Sequence, residues 1–177
     1  MPAPTLERTK ILSEIASTWL GILAIIFGGL FAVQQYLDKE KGEQVKEALN
    51  FLDRYHRESF SAARAALDVG WEKHDAEYQN FWKIPKTGNF DDKGFNDFVV
   101  EVVVKEKLQQ HLFRMIEFYE ALDVCVERNI CDRETCALLF KADARAYFNL
   151  HHSYISKMRI ENNNLKFADG FEHFVKL

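Results

Sequence analysis

The fold of this chain is constrained most by residues 15–37, a stretch of 23 residues without a charged side chain. As a helix that rises about 1.5 Å per residue, the stretch would be about 34 Å long, enough to cross the hydrocarbon core of a bilayer. Trp19 and Tyr36 lie near its two ends, and aromatic side chains favour the membrane–water interface. The sequence therefore predicts an N-terminal tail and transmembrane helix over residues 1–37 and a second domain over residues 38–177.

Two alternative interpretations of this stretch fit the sequence less well. A cleaved signal peptide needs a basic leader, but Glu7 and Glu14 precede the stretch. A cut after Ala32 would also place Leu30 at the −3 position, where signal peptidase prefers a small residue. A buried core helix usually has a polar face, and residues 15–37 show none. A membrane anchor is the interpretation that the sequence favours.

Composition indicates what kind of domain follows. Its 140 residues are enough to form one core. The formal net charge of the chain is −4 and the two signs are interspersed, so no nucleic-acid surface is indicated. Glycine (8) and proline (3) are scarce, which disfavours a loop-rich or all-β fold. The three cysteines cannot all pair with one another, and this odd number favours a reducing compartment.

Basic residues beside the stretch indicate the side of the membrane on which the domain lies. Five of them follow within 20 residues: Lys39, Lys41, Lys46, Arg54 and Arg57. Only Arg8, Lys10 and the terminal amine precede it. Because loops rich in lysine and arginine stay on the cytoplasmic side, we expect a cytoplasmic C-terminal domain.

Helical periodicity dominates the first half of the domain. Apolar residues recur at intervals of three and four between residues 45 and 67, which predicts a helix that leaves the membrane and runs to about Asp68. We expect Gly70 to end or bend this helix, before a second helical piece over residues 71–82. Residues 83–94 combine proline, glycine, asparagine and aspartate, and predict a loop.

Two longer helices are predicted next, over residues 95–128 and 133–160. The first contains the valine-rich segment 98–104, which also permits a strand, but no second strand candidate exists to pair with it. Asp132 is suited to cap the N-terminus of the second helix, and the three asparagines at 162–164 should end it.

The predicted architecture is all-α, with one N-terminal transmembrane helix followed by an antiparallel three- to four-helix bundle. The short connection between the two long helices makes them an antiparallel hairpin. Its register pairs Glu120 with Lys141, Glu117 with Arg145, and Leu122 with Leu139. A last amphipathic segment is expected to fold back on the bundle through Phe167, Phe171 and Phe174.

Several elements of residues 113–177, together with the anchor, resemble a family of small bacterial membrane-anchored helical proteins catalogued as a domain of unknown function. These elements are Phe118–Glu120, a turn at 129–132, the aromatic-rich segment 146–154, Arg159, and Phe171–Glu172. The chain departs from the family pattern in its turn, where Asn129 and Ile130 replace an expected glycine. The resemblance implies a single-pass protein of the bacterial inner (cytoplasmic) membrane and no known activity.

Metal and catalytic sites find little support. No histidine has a glutamate three residues before it, as di-iron bundles require. A zinc site would need Cys125, Cys131 and Cys136 with His151–His152, but paired Cys-x2-Cys spacing is absent. No nucleophile motif or phosphate-binding glycine loop occurs, and the pair Glu117 and Glu120 is best explained as a solvated helix flank. The sequence therefore predicts no enzyme, no cofactor and no metal.

Two groups of residues are candidates for binding. The first is an aromatic cluster, Trp71, Tyr78, Phe81 and Trp82, which is either core or a partner or ligand surface. Lys73 and Lys83 would alternatively lay this piece on the membrane surface. The second is a stripe of small residues in the anchor, Ser17, Gly21, Ala24, Gly28 and Ala32, which suits close packing of membrane helices. The alternative for the stripe is the ordinary abundance of glycine and alanine in such helices.

The function predicted from the sequence is that of a non-enzymatic single-pass accessory or scaffold subunit in a larger membrane assembly. Its expected partners are other membrane subunits or further copies of itself, through the anchor, and the lipid bilayer, with no nucleic acid. The alternative is a membrane-anchored sensor or regulator whose helical bundle binds a small apolar ligand.

Overall fold

A computed structural model describes the backbone of residues 5–82 and 92–177 and the side chains of residues 27–81 and 92–177. Within these residues the chain forms helices and no strand. The helices are α1 (Thr5–His56), α2 (Glu58–Glu72), α3 (Asp75–Trp82), α4 (Asp92–Lys105), α5 (Gln109–Glu127), α6 (Arg133–Glu161) and α7 (Asp169–Lys176). The all-α class is confirmed, and the valine-rich segment 98–104 is helical.

The chain divides into two units, Met1–Glu43 and Gln44–Leu177. In the part that the structure describes, no helix has the length and apolarity to cross a membrane. Residues 15–26 of the predicted anchor lie outside the described side chains, and most of the predicted loop, residues 83–91, lies outside the described residues altogether.

The prediction of one helix from the membrane to Asp68 is wrong. The helix is interrupted at Arg57, whose backbone is extended (φ −65°, ψ 153°), and α2 begins immediately after it. In an uninterrupted helix Ser59 would follow Tyr55 one turn later on the core face. The break leaves Ser59 exposed and brings Phe60 against Phe118, with ring centroids 5.1 Å apart. Burial of an aromatic ring in place of a hydroxyl favours the broken form.

The predicted helix over residues 95–128 is also broken. Lys107 takes a left-handed conformation (φ 56°), and the Leu108 N–H closes the end of α4 by donating to the Val103 carbonyl at 2.9 Å. Leu108 is thereby buried against Gly70 of α2. A Cβ on Gly70 would lie 2.8 Å from the Leu108 methyl carbons. Gly70 therefore makes room for Leu108 within α2 and does not end the helix, which continues to Glu72.

The turn between α5 and α6 shows how asparagine replaces the glycine expected from the family pattern. Asn129 takes the left-handed conformation (φ 54°) that glycine usually supplies, and the Ile130 N–H donates to the Cys125 carbonyl at 2.9 Å. Asparagine is one of the residues that tolerate this conformation best. The predicted cap is confirmed, because the Asp132 carboxylate accepts from the Thr135 backbone N–H at 2.8 Å.

Two of the three cysteines close the same turn. Cys125 and Cys131 form a disulfide, and the remaining Cys136 is a buried free thiol. For a loop this short, the chain-entropy model gives a stabilisation of about 2 kcal/mol.

The two charge pairs predicted for the hairpin do not form ion pairs. Neither Glu120 with Lys141 nor Glu117 with Arg145 is among the ion pairs of the described residues. The Glu120 carboxylate instead accepts from the Ala168 backbone, and burial raises its pKa. A Cβ on Gly170 would lie 3.3 Å from the Glu120 Cα, so α7 approaches α5 closely. Helix α7 contacts α5 and α6 more extensively than these two contact each other.

The C-terminal segment folds back on the bundle as predicted. Phe171 and Phe174 are fully buried, and Phe171 stacks on Tyr119 of α5 with ring centroids 4.5 Å apart and planes 10° apart. Arg159 of α6 ties the segment down through three contacts: its Nε donates to the Phe167 carbonyl (2.8 Å), Nη1 to Glu172 (3.0 Å) and Nη2 to Asp169 (3.1 Å). Arg159 and the Phe171–Glu172 element, both part of the sequence resemblance, are thus in direct contact through the bond from Arg159 to Glu172.

Candidate functional site

An open groove of about 470 Å³ lies where α2 and α3 meet α6. Its described lining consists of Trp71 and Glu72 at the end of α2, Asp75 and Tyr78 of α3, and Leu150 of α6. We call it the Trp71 groove. Its volume lies in the range typical of small-molecule sites, and its walls combine aromatic, aliphatic and acidic side chains.

The indole ring of Trp71 forms the fixed wall of the groove. Its Nε1–H donates to His151 Nε2 at 3.0 Å. Edge-on contacts with His151 (5.7 Å), Phe98 (6.1 Å) and Tyr78 (6.3 Å), measured between ring centroids, hold the ring on further sides. A ring held by these contacts has little rotamer freedom to lose when a ligand binds.

His151 is fully buried and positions Trp71. Its Nδ1 lies 2.8 Å from the Tyr147 carbonyl, which can only accept, so Nδ1 carries the proton and Nε2 is the acceptor for Trp71. Burial lowers the pKa of His151 to about 4, against a weaker opposing effect of the hydrogen bond to Tyr147. At neutral pH the ring is therefore uncharged and both nitrogens are engaged.

The structure brings together three of the four aromatic residues predicted to form a binding cluster. Tyr78 contacts Phe95 (6.0 Å), and Phe81 contacts both Phe95 (5.5 Å) and Phe98 (5.3 Å), as distances between ring centroids. Trp71 and Tyr78 line the groove, whereas the described contacts of Phe81 are with α4. The side chain of the fourth predicted residue, Trp82, lies outside the described residues.

Charge beside the groove is predominantly negative. Glu72 and Asp75 are exposed at the groove, and the Gln79 amide donates to Asp75 at 3.3 Å. Lys73, for which a position at a membrane surface was the alternative interpretation, donates to Glu106 of α4 at 2.6 Å. This bond lowers the pKa of Glu106, with a further contribution from His74.

No group of metal-ligating side chains assembles in the described part of the chain. The side chains of the zinc alternative are engaged elsewhere: Cys125 and Cys131 are joined as a disulfide, and both nitrogens of His151 are hydrogen-bonded. His152, its neighbour in the sequence, is exposed on a different groove between α4 and α6.

A polar network lies inside the bundle. The Tyr55 hydroxyl donates to Asp143 at 3.1 Å and lies 3.4 Å from the Tyr119 hydroxyl, while the Arg64 guanidinium lies over the Tyr55 ring at 4.5 Å. Burial raises the pKa of Tyr55 to about 12, so the hydroxyl stays protonated at neutral pH. The network joins α1, α2, α5 and α6, and we assign it a structural role.

The small-residue stripe is described only in part. Ser17, Gly21 and Ala24 lie outside the described side chains, whereas Gly28 and Ala32 are exposed. A Cβ on Gly28 would have no atom within 4 Å. A neighbouring helix at this stripe stays a prediction.

Sequence reasoning missed His151 and Leu150 as parts of the groove. They lie about 80 residues from Trp71 in the chain, and no local pattern connects them. The only available signal was the high density of aromatic residues around Trp71, Tyr78 and Phe98.

Comparison with known proteins identifies a family and nothing more specific. A family model described as a domain of unknown function (DUF4760) matches residues 11–177. No curated protein and no solved structure gives a significant match. The resemblance predicted from the C-terminal elements is thus confirmed at the level of the family. Since the match covers nearly the whole chain, the protein belongs to the DUF4760 family of domains of unknown function.

Proposed function

We propose that this protein is a non-enzymatic, single-pass membrane accessory or scaffold subunit that associates with a larger membrane assembly. One observation carries the proposal. In the described end of the charge-free stretch, six large apolar or aromatic residues are each more than half exposed: Phe27, Leu30, Phe31, Val33, Tyr36 and Leu37.

These six residues do not share one face of α1. At about 100° per residue, Leu30, Phe31 and Tyr36 point in directions about 100–140° apart around the helix axis. A surface helix of a globular domain has one apolar face and one polar face, whereas a helix that is apolar all round requires an apolar environment. Lipid supplies that environment, and residues 15–26 extend the charge-free stretch to a length sufficient for a span.

The chemistry of the second unit favours a binding role over catalysis. The buried histidine of the Trp71 groove is engaged at both ring nitrogens, and the buried hydroxyls of Tyr55 and Tyr119 lie in a bundle-wide polar network. The buried thiol of Cys136 has a pKa raised to about 11, chiefly by burial, so it is not a thiolate at neutral pH. Each of these groups is buried within the bundle.

We expect the full-length protein to float with membranes in a sucrose gradient and to resist extraction by alkaline carbonate. Leu30→Arg combined with Phe31→Arg should abolish flotation, because each arginine near the middle of a span costs about 2.5–3.5 kcal/mol on insertion scales. The matched control combines Leu138→Arg with Leu165→Arg, two exposed positions in the second unit, and should float. Extraction of the unaltered protein by carbonate would refute the proposed anchor.

Association with a second membrane helix is tested separately, at Gly28. A small residue permits close backbone approach, on which association in lipid depends. Gly28→Leu should therefore reduce the mass of the complex purified in mild detergent, whereas Val33→Leu, about 140° away around the helix, should not. An unchanged mass and yield for Gly28→Leu would show that the stripe reflects composition and is not an interface.

The second candidate function is a membrane-anchored sensor or regulator that binds a small ligand. It is favoured by the Trp71 groove, whose volume of about 470 Å³ and aromatic wall suit a small molecule. Under this function the anchor localises the bundle and the groove carries the specificity.

A further inference from the structure

We propose that the Trp71 groove binds a small organic cation, with an ammonium group over the aromatic rings and its charge balanced by Glu72 and Asp75. The inference rests on the second candidate function and assigns a ligand class to the groove.

The first argument concerns what Trp71 can offer a ligand. Its only hydrogen-bond donor, Nε1–H, is already used by the buried acceptor His151 Nε2 at 3.0 Å. With that donor used, the side chain has no hydrogen bond left to offer a ligand, and it contributes aromatic surface to the groove. The face of a tryptophan is the strongest cation–π acceptor among the side chains, and quaternary ammonium ligands are commonly bound by such aromatic rings.

The second argument is geometric. Trp71 and Tyr78 both line the groove and are nearly perpendicular, with centroids 6.3 Å apart and planes 71° apart. Two rings set at this angle cannot both lie flat against a planar ligand, whereas a rounded ammonium group can contact both of them. Leu150 completes the lining with an aliphatic surface for the apolar part of the ligand.

The third argument is the distribution of charge. Two carboxylates, Glu72 and Asp75, line the groove, and its described lining contains no basic residue. The nearest lysine in the sequence, Lys73, is paired with Glu106 of α4. The groove therefore attracts cations and disfavours anions.

The other described grooves lack this pattern. The groove between α4 and α6 that contains His152 also contains Lys157, and the adjoining groove contains Lys105 and Lys157 beside its carboxylates. Neither is lined by an aromatic ring apart from the His152 imidazole. They serve as internal comparisons for the Trp71 groove.

The test compares two probes of the same shape, choline and its neutral isostere 3,3-dimethylbutan-1-ol. Binding to the full-length protein in mild detergent is measured by isothermal titration calorimetry and by saturation-transfer NMR. We expect choline to bind about tenfold more tightly than the alcohol, because only choline gains the cation–π and carboxylate interactions. This preference should shrink as salt is raised, since exposed carboxylates are screened.

Variants locate the binding. Glu72→Gln combined with Asp75→Asn changes two exposed residues and should lower the affinity for choline about tenfold, with little effect on the alcohol. The control, Asp97→Asn combined with Glu101→Gln, removes the same charge from exposed positions of α4 and should leave both affinities unchanged. Thermal unfolding of each variant verifies that the bundle is intact.

Each outcome bears on a different claim. Equal affinities for choline and the alcohol, both weakened by Leu150→Arg, would overturn the cation proposal and leave the apolar-ligand function standing. Choline binding that the control variant weakens as much as the groove variant would overturn the assignment to this groove. Absence of binding by both probes would overturn the cation proposal and count against the ligand-binding function, while the membrane-subunit proposal would be unaffected.

Discussion

Phe171→Ala is expected to lower the free energy of unfolding by about 3–5 kcal/mol, the usual cost of removing a fully buried phenylalanine. Phe171 stacks on Tyr119 and receives an edge contact from Phe148, with centroids 5.2 Å apart. Its removal therefore leaves a cavity bordered by α5 and α6. The measurement is urea unfolding of the full-length protein in mild detergent, with near-ultraviolet circular dichroism as the signal.

Hydrogen exchange distinguishes local from global loss in the same variant. Helix α7 has only eight residues, and a helix this short depends on tertiary contacts for its stability. Amides of α7 should therefore exchange first in Phe171→Ala. Leu138→Ala is the control, because Leu138 is 85% exposed and its truncation should change stability by no more than about 0.5 kcal/mol. A loss below about 1 kcal/mol in Phe171→Ala would contradict the buried stack.

Stability should fall as the pH falls from about 6.5 to 4, with His151 contributing a total of about 3 kcal/mol. The folded pKa of His151, about 4, lies below the ordinary value of 6.5. Between these values the unfolded chain binds a proton that the folded chain does not, so acid favours unfolding. The contribution is complete above pH 6.5, is lost progressively toward pH 4, and is constant below that.

Carboxylates titrate in the same range, so the measurement is a difference between variants. Burial raises the pKa of Asp123 and Glu120, and these two groups act in the opposite direction to His151. His151→Gln retains a side chain with a donor and an acceptor, and should remove about 1.4 kcal/mol per pH unit from the slope between pH 4 and 6.5. His152→Gln, at the exposed neighbouring position, is the control. Equal slopes for the unaltered protein and His151→Gln would show that His151 is not held neutral.

Features encoded by neighbouring residues were predictable. Asp132 caps α6 because its carboxylate reaches an N–H only three residues away, and the asparagines after Glu161 end the helix because they are weak helix formers. The buried face of α7 follows from the spacing of Phe171 and Phe174. In each case the residues that carry the signal lie within a few positions of each other in the sequence.

The two helix breaks were not predictable because their causes are distant in sequence. The break at Arg57 places Phe60 against Phe118, and the break at Lys107 places Leu108 against Gly70. Local helical periodicity persists through both positions, and tertiary packing overrides it. The same holds for α7, whose contacts with α5 and α6 are more extensive than the contacts of these two helices with each other.

The candidate site, too, has some features that neighbouring residues predict and others that depend on residues distant in the sequence. Trp71, Tyr78 and Phe81 could be singled out because aromatic residues are concentrated over a short segment. The concentration of aromatic residues does not reveal that the Trp71 Nε1–H donates to a histidine 80 residues later in the chain. This hydrogen bond limits what the groove can recognise. The chemical character of the groove therefore required the structure.

The order of the helices along the chain, with α7 after α5 and α6, has a consequence for biosynthesis. A chain leaves the ribosome N-terminus first, so α5 and α6 emerge before the segment that covers Tyr119. Until Phe171 and Phe174 are released, that face of α5 has no cover, and Arg159 has none of its three acceptors. The bundle therefore cannot close before α7 has been made, and a chain truncated before α7 would present an exposed aromatic surface to chaperones and proteases.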